Sequence, residues 1–330
     1  MSGMEPLFAA KGLSVSLRER GRLLPVVFPA DFAVKAGGCT GMIGESGCGK
    51  SVLCRAVLGL LAGGRWQVEG EAFLGGERIP LENDRGMDGF RGRRMSMIVQ
   101  DPLSAFDPRM TIGAHFLEGI GRKGRKERYR EAVSVLSRMA LGDPEDVMRR
   151  YAFELSGGML QRALIGLSLL GRPEFLIADE PTTALDCTVQ EEILRLLSEL
   201  RGDDGLSLLL ISHDLSVISR MADTVYVMYA GRIVECGPME EVRRFPLHPY
   251  TVGLFASRPA FSKERLSVME GRPPVLGEFS GPGCAFAPRC PGAGEVCRLE
   301  VPPFESAGGG HLVRCGRKEA WGACGGGGGF

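Results

Sequence analysis

Short apolar runs alternate with helical stripes along the first two-thirds of the chain. "MSMIVQ" (95–100), "FLIAD" (175–179), "LSLLLIS" (206–212) and "TVYVMY" (224–229) are nearly continuous apolar stretches, the pattern of strands buried on both faces. "KSVLCRAVLGLL" (50–61) instead spaces its apolar residues as a helix does. The alternation predicts an α/β fold, a mostly parallel sheet covered by helices, over residues 1–237. From 102 to about 170 the strand pattern stops, and "RYREAVSVLSRMAL" puts apolar residues at 132, 133, 135, 136, 139 and 140. That stripe predicts a helical subdomain inserted into the sheet-forming unit. After Pro238 come proline pairs, many glycines and clustered cysteines, which predict a second, loop-rich domain over 238–324. The closing "GGGGGF" (325–330) is a low-complexity tail, expected to be disordered.

Chemistry concentrates in "GESGCGKS" (44–51). Glycines at 44, 47 and 49 let a loop wrap with its amides turned inward, and a helix starting near Lys50 adds its positive end. The spacing fits GxxxxGK[ST], in which the lysine reaches the terminal phosphates and the Ser51 hydroxyl ligates magnesium. The context agrees: "CTGMIG" (39–44) is suited to a buried strand, and a helix follows. A phosphate loop also needs a metal partner and a group that activates water. "FLIADE" ends an apolar strand in Asp179 and Glu180, the first placed to hold magnesium through water, the second to orient or deprotonate the attacking water. "LSGGMLQR" (155–162) offers a Ser156 N-cap and two glycines ahead of an apolar helix, a second anion cradle suited to a nucleotide shared between two subunits.

Composition narrows the classes. Forty basic and forty acidic residues cancel, which argues against nucleic acid as a main partner. No charged-then-apolar leader opens the chain and no run of about 18 apolar residues is present, so a cytoplasmic location is expected. Ten cysteines in that compartment are unsuited to a disulfide framework. Cys39, Cys48, Cys54, Cys187 and Cys236 are expected to be small packing residues, while Cys284, Cys290, Cys297, Cys315 and Cys324 crowd the end of the chain.

Taken together, these motifs resemble the ATP-binding subunits of ABC transporters over nearly the whole chain. GESGCGKS looks like the Walker A motif, Gln100 in "VQDP" the Q-loop, LSGGMLQR the signature and FLIADE the Walker B motif. "TTALD", ending at Asp186, is similar to the D-loop, and His213 in "ISHD" to the switch histidine. The resemblance implies a P-loop ATPase of ABC type. ATP would be held by Gly44, Glu45, Ser46, Gly47, Cys48, Gly49, Lys50, Ser51 and Val52, and by Ser156, Gly157, Gly158 and Asp186 from a facing copy. Mg2+ would lie at Ser51, Gln100 and Asp179, with Glu180, His213, Gln100 and Lys50 as the catalytic set. Implied partners are transmembrane permease subunits, a second ATPase of the same or a sister chain and, indirectly, a solute-binding protein, with the subunit peripheral on the cytoplasmic face of the plasma membrane. The family usually stacks an aromatic residue on adenine near the end of the first strand; Leu17 stands there, and Phe28 is the alternative.

The cysteine-rich end and "HPYT" (248–251) resemble the C-terminal region of the oligopeptide, dipeptide and nickel branch of ABC importers. That likeness implies a [4Fe–4S] cluster on Cys284, Cys290, Cys297 and Cys315, with zinc or packed thiols as alternatives, and places Cys324 outside the pattern. Cargo would be small peptides or nickel complexes. A soluble ABC ATPase working on nucleic acid or ribosomes is the competing class, but neither long heptad arms nor a second cassette is present. A nucleotide-regulated redox or metal sensor is the third.

Overall fold

Buried strands stand where the apolar runs predict them. The computed structural model describes residues 5–120, 124–183, 185–257, 269–275, 277–278 and 282–316; the glycine tail and Cys324 lie outside the described residues. The chain opens with β1 (Phe8–Glu19), β2 (Arg22–Val34), β3 (Cys39–Ile43), α1 (Lys50–Val57), β4 (Trp66–Leu74), β5 (Glu77–Arg78) and β6 (Met95–Ile98). Four helices follow: α2 (Ile112–Gly119), α3 (Arg125–Arg138), α4 (Pro144–Arg149) and α5 (Gly157–Ser168). Next come β7 (Phe175–Asp179), α6 (Cys187–Asp204), β8 (Ser207–Ile211), α7 (Leu215–Met221), β9 (Thr224–Tyr229) and β10 (Arg232–Pro238). The C-terminal part adds α8 (Met239–Arg244), α9 (Pro249–Ala256), α10 (Glu295–Leu299), β11 (Glu305–Gly308) and β12 (His311–Val313).

The main sheet runs β11-β12-β10-β9-β3-β8-β7-β6. Its inner part, β9 through β6, is parallel. Every residue of β3, β7 and β8 is buried, which is why these strands lack polar alternation. Neighbouring residues still face opposite layers. Leu176, Ala178, Leu208 and Leu210 join a core shared with α5, α6, α7 and the helical insert, while Ile177, Leu209 and Met42 join the other, with α1.

That second core is closed by a feature the sequence reading did not foresee, a separate antiparallel sheet of order β2-β1-β4-β5. Phe8 of β1 stacks on Phe175 of β7 with ring centroids 4.8 Å apart, fastening one sheet to the other. Two smaller expectations also change. The helix predicted through residue 61 ends at Val57, because Gly59 takes a left-handed turn (φ +64°) and its amide bonds Ala56. Ala140 is exposed beyond the end of α3 and does not extend its apolar stripe.

Among the described residues, the region after Pro238 packs on the rest of the chain. β12 pairs with β10, extending the main sheet, and Ala285 and Phe286 enter the first core. Phe286 meets Tyr229 of β9 edge-on at 5.2 Å and Tyr250 of α9 at 5.5 Å. A buried carboxylate staples the pieces: Glu235 of β10 accepts from the amides of Leu247 and His248, both at 2.8 Å, and lies 2.7 Å from His311 Nε2 of β12.

His248 caps α9, its Nδ1 accepting from the Tyr250 amide at 3.1 Å. Complete burial lowers its pKa to about 4, against a partial upward pull from the Glu235 charge. An unfolded histidine titrates near 6.5, so protons favour the unfolded chain as pH falls from about 6.5 toward 4, by up to about 3 kcal/mol. His248→Asn keeps a capping oxygen and removes the titration. Urea melts from pH 7.5 to 4.5 should therefore show its stability deficit against wild type shrinking as pH falls.

Candidate active site

Four parallel strands deliver the site from one edge of the sheet. GESGCGKS follows β3, Gln100 follows β6, Glu180 follows β7 and His213 follows β8, all at C-terminal strand ends. The spatial order β3-β8-β7-β6 makes those ends neighbours. In open α/β sheets this is the edge where ligands bind.

The phosphate-type loop has its glycines for distinct reasons. Gly47 (φ +80°) and Gly49 (φ +105°) occupy backbone conformations that side chains disfavour. Gly44 is squeezed: a Cβ there would lie 2.1 Å from the Met228 carbonyl oxygen on β9. Around Gly47, by contrast, nothing stands within 4 Å of that position. Among the described residues no protein acceptor is placed on the amides of Gly47, Gly49, Lys50 and Ser51, the unpaired donors of a loop and a helix start. Lys50 is buried, its Nζ donating to the carbonyls of Gly44 (2.8 Å) and Glu45 (3.0 Å) and lying 3.5 Å from Cys48 Sγ. Ser46 and Gly47 are exposed; Ser51 and Val52 are half-buried at the first turn of α1.

Ser51 Oγ donates to Asp179 Oδ1 at 3.1 Å. Burial raises the Asp179 pKa; the Ser51 hydrogen bond and the Lys50 charge oppose the rise, and the Glu180 charge adds to it. Such a carboxylate is one that a cation would stabilise. A hydroxyl and a carboxylate oxygen converging at one point are the hard donors that magnesium takes, so these residues fit that ion.

Glu180 turns out of the strand with φ +50°, a left-handed conformation rare for a residue with a side chain. Its amide bonds the Ile211 carbonyl at 2.9 Å. Its carboxylate accepts from Gln100 Nε2 (3.0 Å) and Thr183 Oγ1 (2.9 Å) and lies 3.1 Å from His213 Nδ1. Gln100, Glu180 and His213 are thus one hydrogen-bonded group beside Lys50, Ser51 and Asp179. Thr183 was not picked out from the sequence; the available signal was a hydroxyl three residues after the carboxylate.

Other candidates sit elsewhere. Ser156 caps α5, accepting from the Met159 amide at 3.3 Å, and Ser156 and Gly157 are exposed. A Cβ on Gly158 would strike Val189 of α6 at 2.7 Å, so that glycine also serves packing. No hydrogen bond joins these residues to the Lys50–Glu180 group among the described residues. Asp186 caps α6, with Oδ1 accepting from Thr188 and Val189 amides, both at 3.0 Å. Glu45 is engaged by the C-terminal region. Its amide donates to Tyr250 Oη (2.8 Å) and its carboxylate pairs with Arg289, so neither faces the loop interior. The Phe28 ring is covered by the Arg232 guanidinium at 3.5 Å, and Leu17 is half-buried on β1.

The cysteine expectations need correction as well. Cys39, Cys48, Cys54 and Cys236 are buried, but Cys187 is exposed at the start of α6. Among the described residues no three His, Cys, Asp or Glu side chains come together as a metal cage. Cys284 is bound to Cys297 through their backbones (2.7 Å), whereas Cys315 follows β12, whose neighbour Arg314 is bonded to Val234 of β10. Burial also raises the Cys284 thiol pKa, and the charges of Cys297 and Cys290 add to the rise.

Two families match the chain: "ABC transporter" over residues 27–183 and "Oligopeptide/dipeptide transporter, C-terminal region" over 234–297. A putative peptide import ATP-binding protein of Brucella abortus is 38% identical over 328 residues, covering 94% of this chain and 97% of that protein. The dipeptide transport ATP-binding protein DppD of Bacillus subtilis is 38% identical, covering 94% and 95%. The oligopeptide transport ATP-binding protein OppD of Salmonella typhimurium is 40% identical over 291 residues, 86% of each chain. Among solved structures, the dimeric bacterial ABC transporter cassette MJ0796 aligns with a TM-score of 0.63 at 22% identity, over 70% of this chain and 98% of that one. CbiO1 of Clostridium perfringens aligns at 0.62 and 23%, over 72% and 91%. At those identities the two structures speak to the fold.

The loop glycines should differ measurably. Gly44→Ala drives a methyl into a backbone carbonyl and is expected to cost about 3 kcal/mol. Gly47→Ala meets open space and is expected to cost about 1 kcal/mol, from left-handed backbone strain alone. Urea melts of the two variants rank them, and equal losses would refute the difference.

Proposed function

The chain belongs to the ABC transporter family, and we propose that it is the ATP-hydrolysing subunit of an importer for small peptides. The observation that carries this reading is the Glu180 group: a carboxylate held by Gln100, Thr183 and His213 at the strand end next to Ser51 and Asp179. The loop amides and Lys50 bind the phosphates, with Lys50 exchanging its carbonyl partners for phosphate oxygens. Magnesium, when bound, neutralises charge on the β- and γ-phosphates; Ser51 and Asp179 are its protein partners, with Gln100 at the edge of that site. Glu180 takes a proton from the attacking water, and His213 steadies the carboxylate and meets the terminal phosphate.

Ser156 and Gly157 complete the site from a second copy or a sister ATPase. Their exposure supports that arrangement, and the MJ0796 cassette is itself described as dimeric. Asp186, which caps α6 in its own chain, lies at that junction. No helix among the described residues is long and apolar enough to cross a membrane. On the reading that the relatives support, transmembrane permeases carry the cargo, this subunit docks on their cytoplasmic face, and a solute-binding protein delivers the peptide. Peptides are favoured over nickel complexes because the relatives above carry peptide, dipeptide and oligopeptide names.

Glu180→Gln should slow ATP hydrolysis by at least about a hundredfold, the scale of lost general-base help, while ATP binding persists. Lys50→Ala should weaken ATP binding itself. Phosphate release and nucleotide titration separate the two, and a Glu180→Gln variant turning over at the normal rate would sink the assignment. Deleting the chain from its host should abolish uptake of radiolabelled di- and oligopeptides. Intact peptide uptake with lost nickel uptake would move the cargo to metal complexes.

A further inference from the structure

The loop that binds phosphate carries an acidic residue, Glu45, directly beside Lys50. An unpaired carboxylate there would oppose the binding of a triphosphate, on a residue whose backbone carbonyl already accepts from Lys50 Nζ at 3.0 Å. The structure disposes of that charge through a residue 244 positions away. Arg289 grips the carboxylate with two parallel bonds, Nη1 to Oε2 at 2.8 Å and Nη2 to Oε1 at 3.0 Å. The Arg289 side chain is only 5% exposed. Its Nε donates to the Glu270 carbonyl (3.0 Å) and its Nη1 also to Tyr229 Oη (3.3 Å), so the guanidinium is fixed before it meets Glu45. Tyr250 holds the same residue by its backbone amide. Glu45 is thus tied by side chain and amide to the C-terminal region, and by its carbonyl to Lys50.

We infer that Arg289 is a positioning residue for nucleotide binding, holding the Glu45 carboxylate off Lys50 and cancelling its charge at the phosphate site. The C-terminal region, which matches its own family over residues 234–297, in this way supplies a working part of the site built on the phosphate loop. This rests on the ATPase reading above.

The test is ATP affinity, with Mg2+, measured by calorimetry on the full chain. Arg289→Ala should raise the Kd for ATP by about tenfold or more, the scale of losing a charge-assisted pair. Arg289→Lys should recover part of the loss, since a lysine restores charge without the two-pronged grip. Combining Glu45→Gln with Arg289→Ala should bring the Kd back to within about threefold of wild type, because the carboxylate that the arginine restrained is gone. Urea melts of each variant establish that the protein compared is folded. An Arg289→Ala variant binding ATP as wild type does would overturn the inference, as would a loss that the double variant leaves in place. Wild-type chain that binds no ATP would overturn the ATPase reading itself, and this inference with it.

Discussion

Two consecutive carboxylates at the end of one buried strand cannot both face the same site while the strand stays regular, because successive side chains alternate between its faces. The site depends on how that conflict is resolved. Asp179 keeps strand geometry and stays buried beside Ser51; Glu180 turns into a left-handed conformation that swings its carboxylate round to Gln100, Thr183 and His213. A left-handed residue with a side chain costs roughly 1–2 kcal/mol. The Glu180 amide bond to Ile211 on β8 and the side-chain partners offset that cost, so the strain is held by the neighbouring strand and by the loops after β6 and β8. The parallel order β3-β8-β7-β6 makes this possible, since it brings each of those loops out at one edge.

What could be read from the sequence follows from how local the signal is. GESGCGKS is legible because its constraints are internal to eight residues: glycines for positive φ, a lysine that folds back on its own loop and a helix start. The central strands are legible because burial on both faces leaves no room for polar residues, so β3, β7 and β8 appear as unbroken apolar runs. The antiparallel sheet is harder. β1 and β2 alternate buried with exposed positions, include Pro25 and Pro29, and shift register between Ala10 and Val15, so each is defined by its partner more than by its own pattern. Thr183 becomes meaningful only once the turn at Glu180 places its hydroxyl on the carboxylate.

Composition says little about packing at the C-terminal region, for a physical reason. Proline, glycine and cysteine content reports on loops, and loops are what residues after 238 mostly contain; composition is silent on where their few apolar side chains go. Those side chains complete the first core: Phe286 closes an aromatic group with Tyr229 and Tyr250, and β12 covers β10. Glu235, buried among these elements, is tolerable because Leu247, His248 and His311 all supply it with partners.

The same packing explains why the long-range contact at the phosphate loop is stiff. Tyr229 ends β9 and Tyr250 begins α9; Phe286 wedges against both, and Arg289 follows it by a single helical turn, already bonded to Tyr229. The guanidinium is therefore positioned by the sheet that positions the loop, since Gly44 packs on Met228, the residue before Tyr229. Loop and clamp share β9 as a common reference, and Arg289 links the Phe286 group to Glu45, whose carbonyl in turn meets Lys50.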